Sequence, residues 1–385
     1  MSAARVVSVL LVLVLVLVTA MLSACSESPD NGGFAGLAAS VENDSPHEFL
    51  QPGPGNRLSF PDDFGPHPQH RIEWWYLTAN LETADGQPLG LQWTQFRQAI
   101  KPSPADDPPP PSDTWPLEAA WMAHAAVSYE GQHQFAERLA RGDVGHAGAR
   151  AEPFQVWLDD WLLSEPAVGE PWRLQVQADG WGYDLRLGNT DDRVAHGNHG
   201  FSAKSFDGQG SMYFSLVNLD ISGTVTLNGK THQVQGKGWF DREWSSQLLK
   251  TGQQGWDWFA LHLDDDHKLM AFRLRESEGD RDRDFLSASW IAPDGEVTTL
   301  GPDQIELVGQ DWRDSENGEH GEHGESGRVP GQFQLRIPDV GVDIQVTAPK
   351  GQYWNAGLYP YWESPVTVEG SHAGVGYMEL TGYNK

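Results

Sequence analysis

Trp74-Trp75-Tyr76-Leu77-Thr78-Ala79-Asn80-Leu81 decides the fold: aromatic and apolar residues alternate with polar ones at a period of two, the signature of a β-strand. The same pattern recurs on both sides of it, at 89–96, 154–158, 172–178, 183–187 and 211–219, and then at 220–227, 230–238, 256–263, 268–275, 333–337, 342–348 and 366–377. Turn pairs such as Asn228-Gly229 join neighbouring runs. No long stretch has the 3.6-residue period of an amphipathic helix. Many short strands with close turn signals predict an all-β protein of antiparallel sandwiches or barrels, two in series, joined near residues 248–254.

Three segments interrupt the pattern. Residues 26–54 are polar and rich in Gly, Asn, Ser and Pro, the composition of a tether rather than of a packed core. Residues 101–116 carry Pro102, Pro104, Pro108 through Pro111 and Pro116, and predict a surface loop. Residues 314–331 place His320 and His323 among carboxylates, but no second ligand cluster accompanies them, so a solvated loop and no metal site is expected.

The chain holds 54 acidic and 26 basic residues, and its net charge of −28 makes phosphate backbones and anionic head groups poor partners for its bulk surface. Nucleic acid binding is excluded as a function class. Hydrophobic residues at 39% supply ample core for two domains. The 17 tryptophans are a surplus, suited to barrel interiors and to pockets for lipids, sugars or aromatic ligands as well as to ordinary core packing.

At the N-terminus, Arg5 precedes an apolar run over residues 6–20, followed by Leu22-Ser23-Ala24-Cys25. A basic start, an apolar centre and small residues before a cut site describe a signal peptide over 1–24. Leu-Ser-Ala-Cys resembles the lipobox of bacterial lipoproteins, in which the Cys is acylated and becomes the first mature residue. The expectation is therefore an exported protein on the periplasmic side of the cell envelope, with the membrane as a partner through lipid on Cys25. Ser26 behind that Cys points to the outer membrane, with an envelope transport system as a further candidate partner. Cys25 is the only cysteine, so the mature fold is expected to hold together without an internal disulfide.

The common hydrolase signatures are absent: there is no Gly-x-Ser-x-Gly elbow and no His-Glu-x-x-His zinc helix. Ser202, Lys204 and Ser205 could form a Ser-Lys pair or simply begin a strand. More informative is Gly238-Trp-Phe-Asp-Arg-Glu-Trp-Ser-Ser-Gln247, which sets Asp241, Arg242 and Glu243 among Trp239, Phe240 and Trp244. Two readings stand side by side. In one, burial raises the pKa of a carboxyl so that it serves as a general acid; in the other, Arg242 bridges Asp241 and Glu243 and pins adjacent strands. A second charged-aromatic cluster, His70-Arg-Ile-Glu-Trp-Trp-Tyr76, places His70 and Glu73 ahead of Trp74, Trp75 and Tyr76.

These two segments resemble the carotenoid 1,2-hydratase and AttH-like group. The resemblance extends to Met122-Ala-His124, Phe135-Ala-Glu-Arg138, Trp157-Leu-Asp-Asp-Trp161, Gly200-Phe-Ser-Ala-Lys204, Gly255-Trp-Asp-Trp-Phe259, Tyr361-Trp-Glu-Ser-Pro365 and the stretch from Gly376 to Tyr383, covering about His47 to Tyr383. It implies two consecutive lipocalin-like β-barrels of the calycin type, at 55–250 and 251–385, and a role in lipid or isoprenoid metabolism. It also implies alkene protonation by an Asp, with His, Trp and Tyr lining the site. Trp244 matches the site tryptophan of the group, but Arg242 stands where its His lies and 269–274 holds no Tyr-x-Asp pair. Arginine stays protonated and does not exchange a proton as His does.

Two functions follow, both without a cofactor. The first is a membrane-anchored binding protein that holds a hydrophobic small molecule, a lipid, fatty acyl or isoprenoid chain, against His70, Glu73, Trp74, Trp75, Tyr76, Trp239, Trp244, Trp256 and Trp258. The second is a hydrolase or hydratase with Asp241 or Glu243 as acid or base and Arg242 or His124 stabilising charge on a lipid ester or alkene.

Overall fold

The computed structural model describes residues 49–102, 118–142, 144–247, 249–250, 252–276, 283–314 and 328–383. The expected signal peptide, Cys25 and the tether up to residue 48 lie outside the described residues, as do nearly all of the proline-rich segment and the loop with His320 and His323.

The first sheet is built from β1 (Ile72–Thr83), β2 (Pro88–Ala99), β3 (Ala119–Tyr129), β4 (Gln132–Arg141), β5 (Ala147–Arg150), β6 (Gln155–Leu158), β7 (Trp161–Ser164), β8 (Trp172–Ala178), β9 (Trp181–Gly188), β10 (Arg193–Ala195), β11 (Phe201–Ala203), β12 (Gly210–Leu227) and β13 (Lys230–Ser245). Its order is β4-β3-β2-β1-β13-β12-β9-β8-β7-β6-β5, with β10 and β11 paired to β12. The sheet curls until β6 faces β2, where Gln95 Nε2 donates to the Trp157 carbonyl at 2.8 Å. The second sheet contains β14 (Gln253–Leu263), β15 (Lys268–Glu276), β16 (Phe285–Ile291), β17 (Val297–Leu300), β18 (Glu306–Asp314), β19 (Arg328–Ile337), β20 (Val342–Thr347), β21 (Trp354–Asn355), β22 (Tyr361–Gly370) and β23 (Gly374–Leu380). It runs β17-β16-β15-β14-β23-β22-β20-β19-β18 with β21 beside β22. Among the described residues there is no α-helix, only single 3-10 turns such as Asp62–Phe64. The fold is all-β and antiparallel, one nearly closed barrel followed by a half-barrel, the pair of lipocalin-like barrels expected from the sequence.

Three strand expectations change. The runs 211–219 and 220–227 are one strand, β12, bent by a bulge between Leu216 and Leu219. The run 230–238 continues through the charged cluster to Ser245. The run 366–377 is two strands, because Gly370-Ser-His-Ala-Gly374 interrupts the alternation and Gly370 takes φ 128°, which favours glycine. At the expected turn, Asn228 and Gly229 both have positive φ, 50° and 77°, as a two-residue hairpin with right-handed twist requires. The chain is packed from Phe49 onward, where the Arg71 guanidinium lies over its ring, so the last residues assigned to the tether belong to the first barrel.

Each barrel has its own interior core, with Trp75, Trp93 and Phe214 in the first and Phe259, Phe333 and Trp362 in the second. A third apolar cluster joins the outer faces: Tyr76, Tyr213, Val217 and Trp239 pack on Trp258, Met270, Phe272 and Tyr377. Gly90 permits the approach, since a Cβ there would lie 2.6 Å from the Tyr377 hydroxyl and 2.8 Å from Pro365. The cleft described next opens within this contact.

Candidate active site between the barrels

On β13 successive side chains point to opposite faces, and its register with β1 pairs Tyr76 with Asp241, Trp75 with Arg242 and Trp74 with Glu243. Arg242 and Glu73 therefore enter the first barrel, while Asp241 and Glu243 face the second. Of the two readings of this cluster, the bridge does not form: neighbours on a strand diverge, so Arg242 pins neither of the carboxylates beside it.

Inside the barrel, Glu73 is fully buried and takes hydrogen bonds from Arg97 Nε and Arg242 Nη2 and from the His67 amide at 2.9 Å. Burial opposes its ionisation, but the Arg97 and Arg242 guanidiniums and His67 outweigh that and hold its carboxyl well below the usual range. Arg242 donates also to the Gly65 carbonyl at 2.6 Å and lies over the Trp75 ring at 4.0 Å. His67 stacks on Trp244 with ring centres 3.7 Å apart. His70 stands beside this network, and burial lowers its pKa to about 4. Glu73, Trp75, Arg242 and Trp244 are thus parts of one compensated ion network.

The other face is different. A cavity of about 80 Å³ opens between the sheets, walled by Trp74, Phe96, Trp256, Trp258 and Phe272, with Asp241, Glu243 and Glu379 at its surface. Burial raises the Asp241 pKa to about 7, against hydrogen bonds from Ser215, from Tyr213 at 2.7 Å and from Trp239 Nε1 at 2.6 Å that favour the ionised form. Burial likewise raises Glu379 to about 7, against a bond from Trp256 Nε1 at 2.6 Å and reinforced by the negative charge of Asp241 and Glu243. Behind it Glu363 is pushed well above the usual range by burial and by Glu379, although Tyr76 donates to it at 2.5 Å and Asn355 at 2.8 Å. Glu243 is balanced by Lys204 at 3.0 Å, and of the two readings of Ser202, Lys204 and Ser205 the strand entry stands, as β11. Buried carboxyls here outnumber their cations, and the pKa values of Asp241, Glu363 and Glu379 are pushed upward in consequence.

Of the residues singled out in the sequence, Trp74, Tyr76, Asp241, Glu243, Trp256 and Trp258 line the cavity, and Trp239 braces Asp241. His70, Glu73, Trp75, Arg242 and Trp244 belong to the barrel interior and its mouth. His124 is fully buried, set back from the cavity, with Nδ1 on the Tyr361 hydroxyl at 3.1 Å and Nε2 on Glu137 at 3.0 Å. Glu363, Glu379 and Tyr213 were not singled out. The signal for the first two was a lone acid in an apolar strand, in Tyr361-Trp-Glu-Ser-Pro365 and Gly376-Tyr-Met-Glu-Leu380. Among the described residues no group of three or more His, Cys, Asp or Glu side chains is placed to hold a metal ion.

The AttH-like family model matches residues 51–383. The chain is similar to the solved structure of a putative AttH from Nitrosomonas europaea, with 32% identity and a TM-score of 0.75 over 88% of this chain and 100% of the other. It also resembles kievitone hydratase from Nectria haematococca, with 14% identity and a TM-score of 0.62 over 87% of this chain and 98% of the other, a likeness of fold. No curated protein sequence matches.

Proposed function

This chain belongs to the AttH-like family, and from that premise we propose that it is a cofactor-independent acid–base enzyme that adds water to, or removes it from, a carbon–carbon double bond in a small apolar molecule. One observation carries the reading: Asp241 and Glu379, both buried and both raised to about 7, share an aromatic-walled cavity. Because ionising one acid raises the other, the pair loses its protons stepwise and passes through a state with one acid and one base. Such a state suits hydration. Asp241 gives its proton to an alkene carbon, and the faces of Trp74, Trp256 and Trp258 stabilise the cation that forms on the neighbouring carbon. Water attacks that carbon and its proton passes to ionised Glu379, so one C–H and one C–O bond form as the π bond is lost. That a hydratase carries the same fold supports the reaction class.

The test is incubation of the protein with short isoprenoid alkenes and unsaturated fatty acids in ¹⁸O-labelled water. A product that has gained one labelled water is expected, with turnover lowered about 10²- to 10⁴-fold in Asp241→Asn and Glu379→Gln. Equal turnover in all three proteins overturns the reading. The apolar walls also favour a second reading, a carrier of a hydrophobic ligand, which binding without any product would support.

The proposal extends to location: export, and a lipid anchor on Cys25, are supported by the Leu22-Ser23-Ala24-Cys25 sequence. Labelled palmitate should enter the wild type expressed in a bacterium and not Cys25→Ala. Labelling of both counts against the anchor.

A further inference from the structure

The apolar walls that shape the cavity raise a problem for the chemistry proposed there. A hydrophobic substrate seated against Trp74, Trp256, Trp258 and Phe272 displaces water from the mouth, and Glu379, once it has taken the proton of the attacking water, then has no route through the mouth by which to release it. Behind Glu379, however, a row of polar side chains runs away from the cavity. The Tyr76 hydroxyl donates to Glu363 at 2.5 Å, and Glu363 stands opposite Glu379 in the register of β22 and β23. Tyr361 lies two residues from Glu363 on the same face of β22, and its hydroxyl meets His124 Nδ1 at 3.1 Å. His124 Nε2 meets Glu137 at 3.0 Å, and there the row comes out into water: the Glu137 side chain is 19% exposed while that of His124 is fully buried.

We propose that Glu137, His124, Tyr361, Glu363 and Tyr76 form a proton relay that connects Glu379 to solvent at Glu137. The relay rests on the acid–base reading for its purpose, not for its geometry. Glu379 gives its proton to the Tyr76 oxygen, and Tyr76 passes its own hydroxyl proton to Glu363. Glu363 protonates the Tyr361 oxygen, the former Tyr361 proton passes to His124 Nδ1, and the ring releases its Nε2 proton to ionised Glu137 and so to water. One bond to hydrogen breaks for each that forms, and one proton enters for one delivered. The hydroxyls then turn back to their starting orientation.

The surroundings fit conduction better than simple packing. The row crosses β4, β3, β22, β1 and β23, so it links both barrels through groups that are costly to bury. Gln92 donates to Tyr361 at 3.2 Å and Asn355 to Glu363 at 2.8 Å, which fixes the two groups with the most freedom to turn away. Phe96 and Phe135 present their rings to His124 at 5.6 Å and 5.2 Å. The titratable groups facing Glu363 are Glu379 and the tyrosines Tyr76, Tyr361, Tyr377 and Tyr183; those facing His124 are Glu137 and Tyr361.

The experiment needs no substrate. Full-length protein is jumped from slightly acid to slightly alkaline pH, and the protonated-carboxyl infrared band of Glu379, assigned by its loss in Glu379→Gln, is followed in time. Glu137→Gln keeps the shape of the surface group and cannot take up a proton, and His124→Gln interrupts the interior. Both variants should relax about tenfold or more slowly than the wild type, with the titration midpoint and melting temperature little changed. Should His124→Gln fail to fold, the exposed Glu137→Gln still decides. Wild-type relaxation rates in the folded variants overturn the relay and leave the acid–base reading standing. A wild type in which no Glu379 band titrates near neutrality overturns both.

Discussion

Arg242 and Asp241 are neighbours on β13, yet their side chains meet opposite kinds of surroundings. On the inner side, Glu73 is matched by Arg97 and Arg242, with His67 and Asp63 adjoining, and every charge has an opposite partner within hydrogen-bond reach. On the outer side, Asp241, Glu363 and Glu379 gather in one buried region where Lys204 is committed to Glu243. Burial costs a charge equally on both faces; what differs is the remedy. The inner face pairs its charges and keeps them, whereas the outer face keeps its acids neutral with protons that can leave. A matched network resists change, which suits a barrel wall. A protonated acid beside an apolar cavity is poised to react, which suits a site.

The comparison breaks most visibly if Glu73→Gln proves harmless. Removing that carboxylate leaves two buried guanidiniums without a counter-charge, and the loss of one member of a buried ion pair costs about 3–5 kcal/mol. A fall in melting temperature on the order of ten degrees is expected at neutral pH. Asp241→Asn removes no charge that a cation depends on and should fall far less. Equal losses in the two variants would show that the outer acids are structural as well.

Much of this contrast is open to inspection in the sequence. The alternation in 74–81 predicts the two faces of β1, and the same period through 238–245 already separates Arg242 from Asp241 and Glu243, which makes a bridge among the three untenable. β3 went unmarked because Ala119-Ala-Trp-Met-Ala-His-Ala-Ala-Val-Ser-Tyr129 is rich in alanine, a poor strand former. It is buried along nearly its whole length, so both faces read as apolar and no alternation shows. Glu363 and Glu379 escaped for another reason. Their significance lies in Asp241 and Tyr76, which are far away in sequence and meet them only when the second barrel packs on the first. Two charged-aromatic clusters marked the right strand pair; the acids that complete the site come from the other domain.

A smaller effect sharpens the comparison through pH. Asp241 is raised from 3.8 to about 7 and Glu379 from 4.5 to about 7, so the folded state holds these protons more tightly than the unfolded chain does. For a raised acid the stabilising contribution is whole below the unfolded value and is lost as pH climbs through the folded one. Wild-type stability should therefore decline from these groups between about pH 4 and pH 7 and level off above. Buried histidines act in the opposite sense: His196, lowered to about 3, and His133, lowered to about 4, withdraw stability as pH falls below 6.5. The two trends overlap in the wild type, but the histidines are common to wild type and variants and cancel in the difference. Denaturant titrations of wild type, Asp241→Asn and Glu379→Gln across this range should show each variant gaining on the wild type by about 1–3 kcal/mol as pH rises, given about 1.4 kcal/mol per pKa unit. Glu73→Gln, whose parent carboxyl is held low, should instead lose ground as pH rises through the acid range and then run parallel to the wild type through neutrality. A difference curve for Asp241→Asn that stays flat from pH 4 to pH 7 would mean that Asp241 is already ionised in the fold, and the distinction between the two faces of β13 would then be one of position alone.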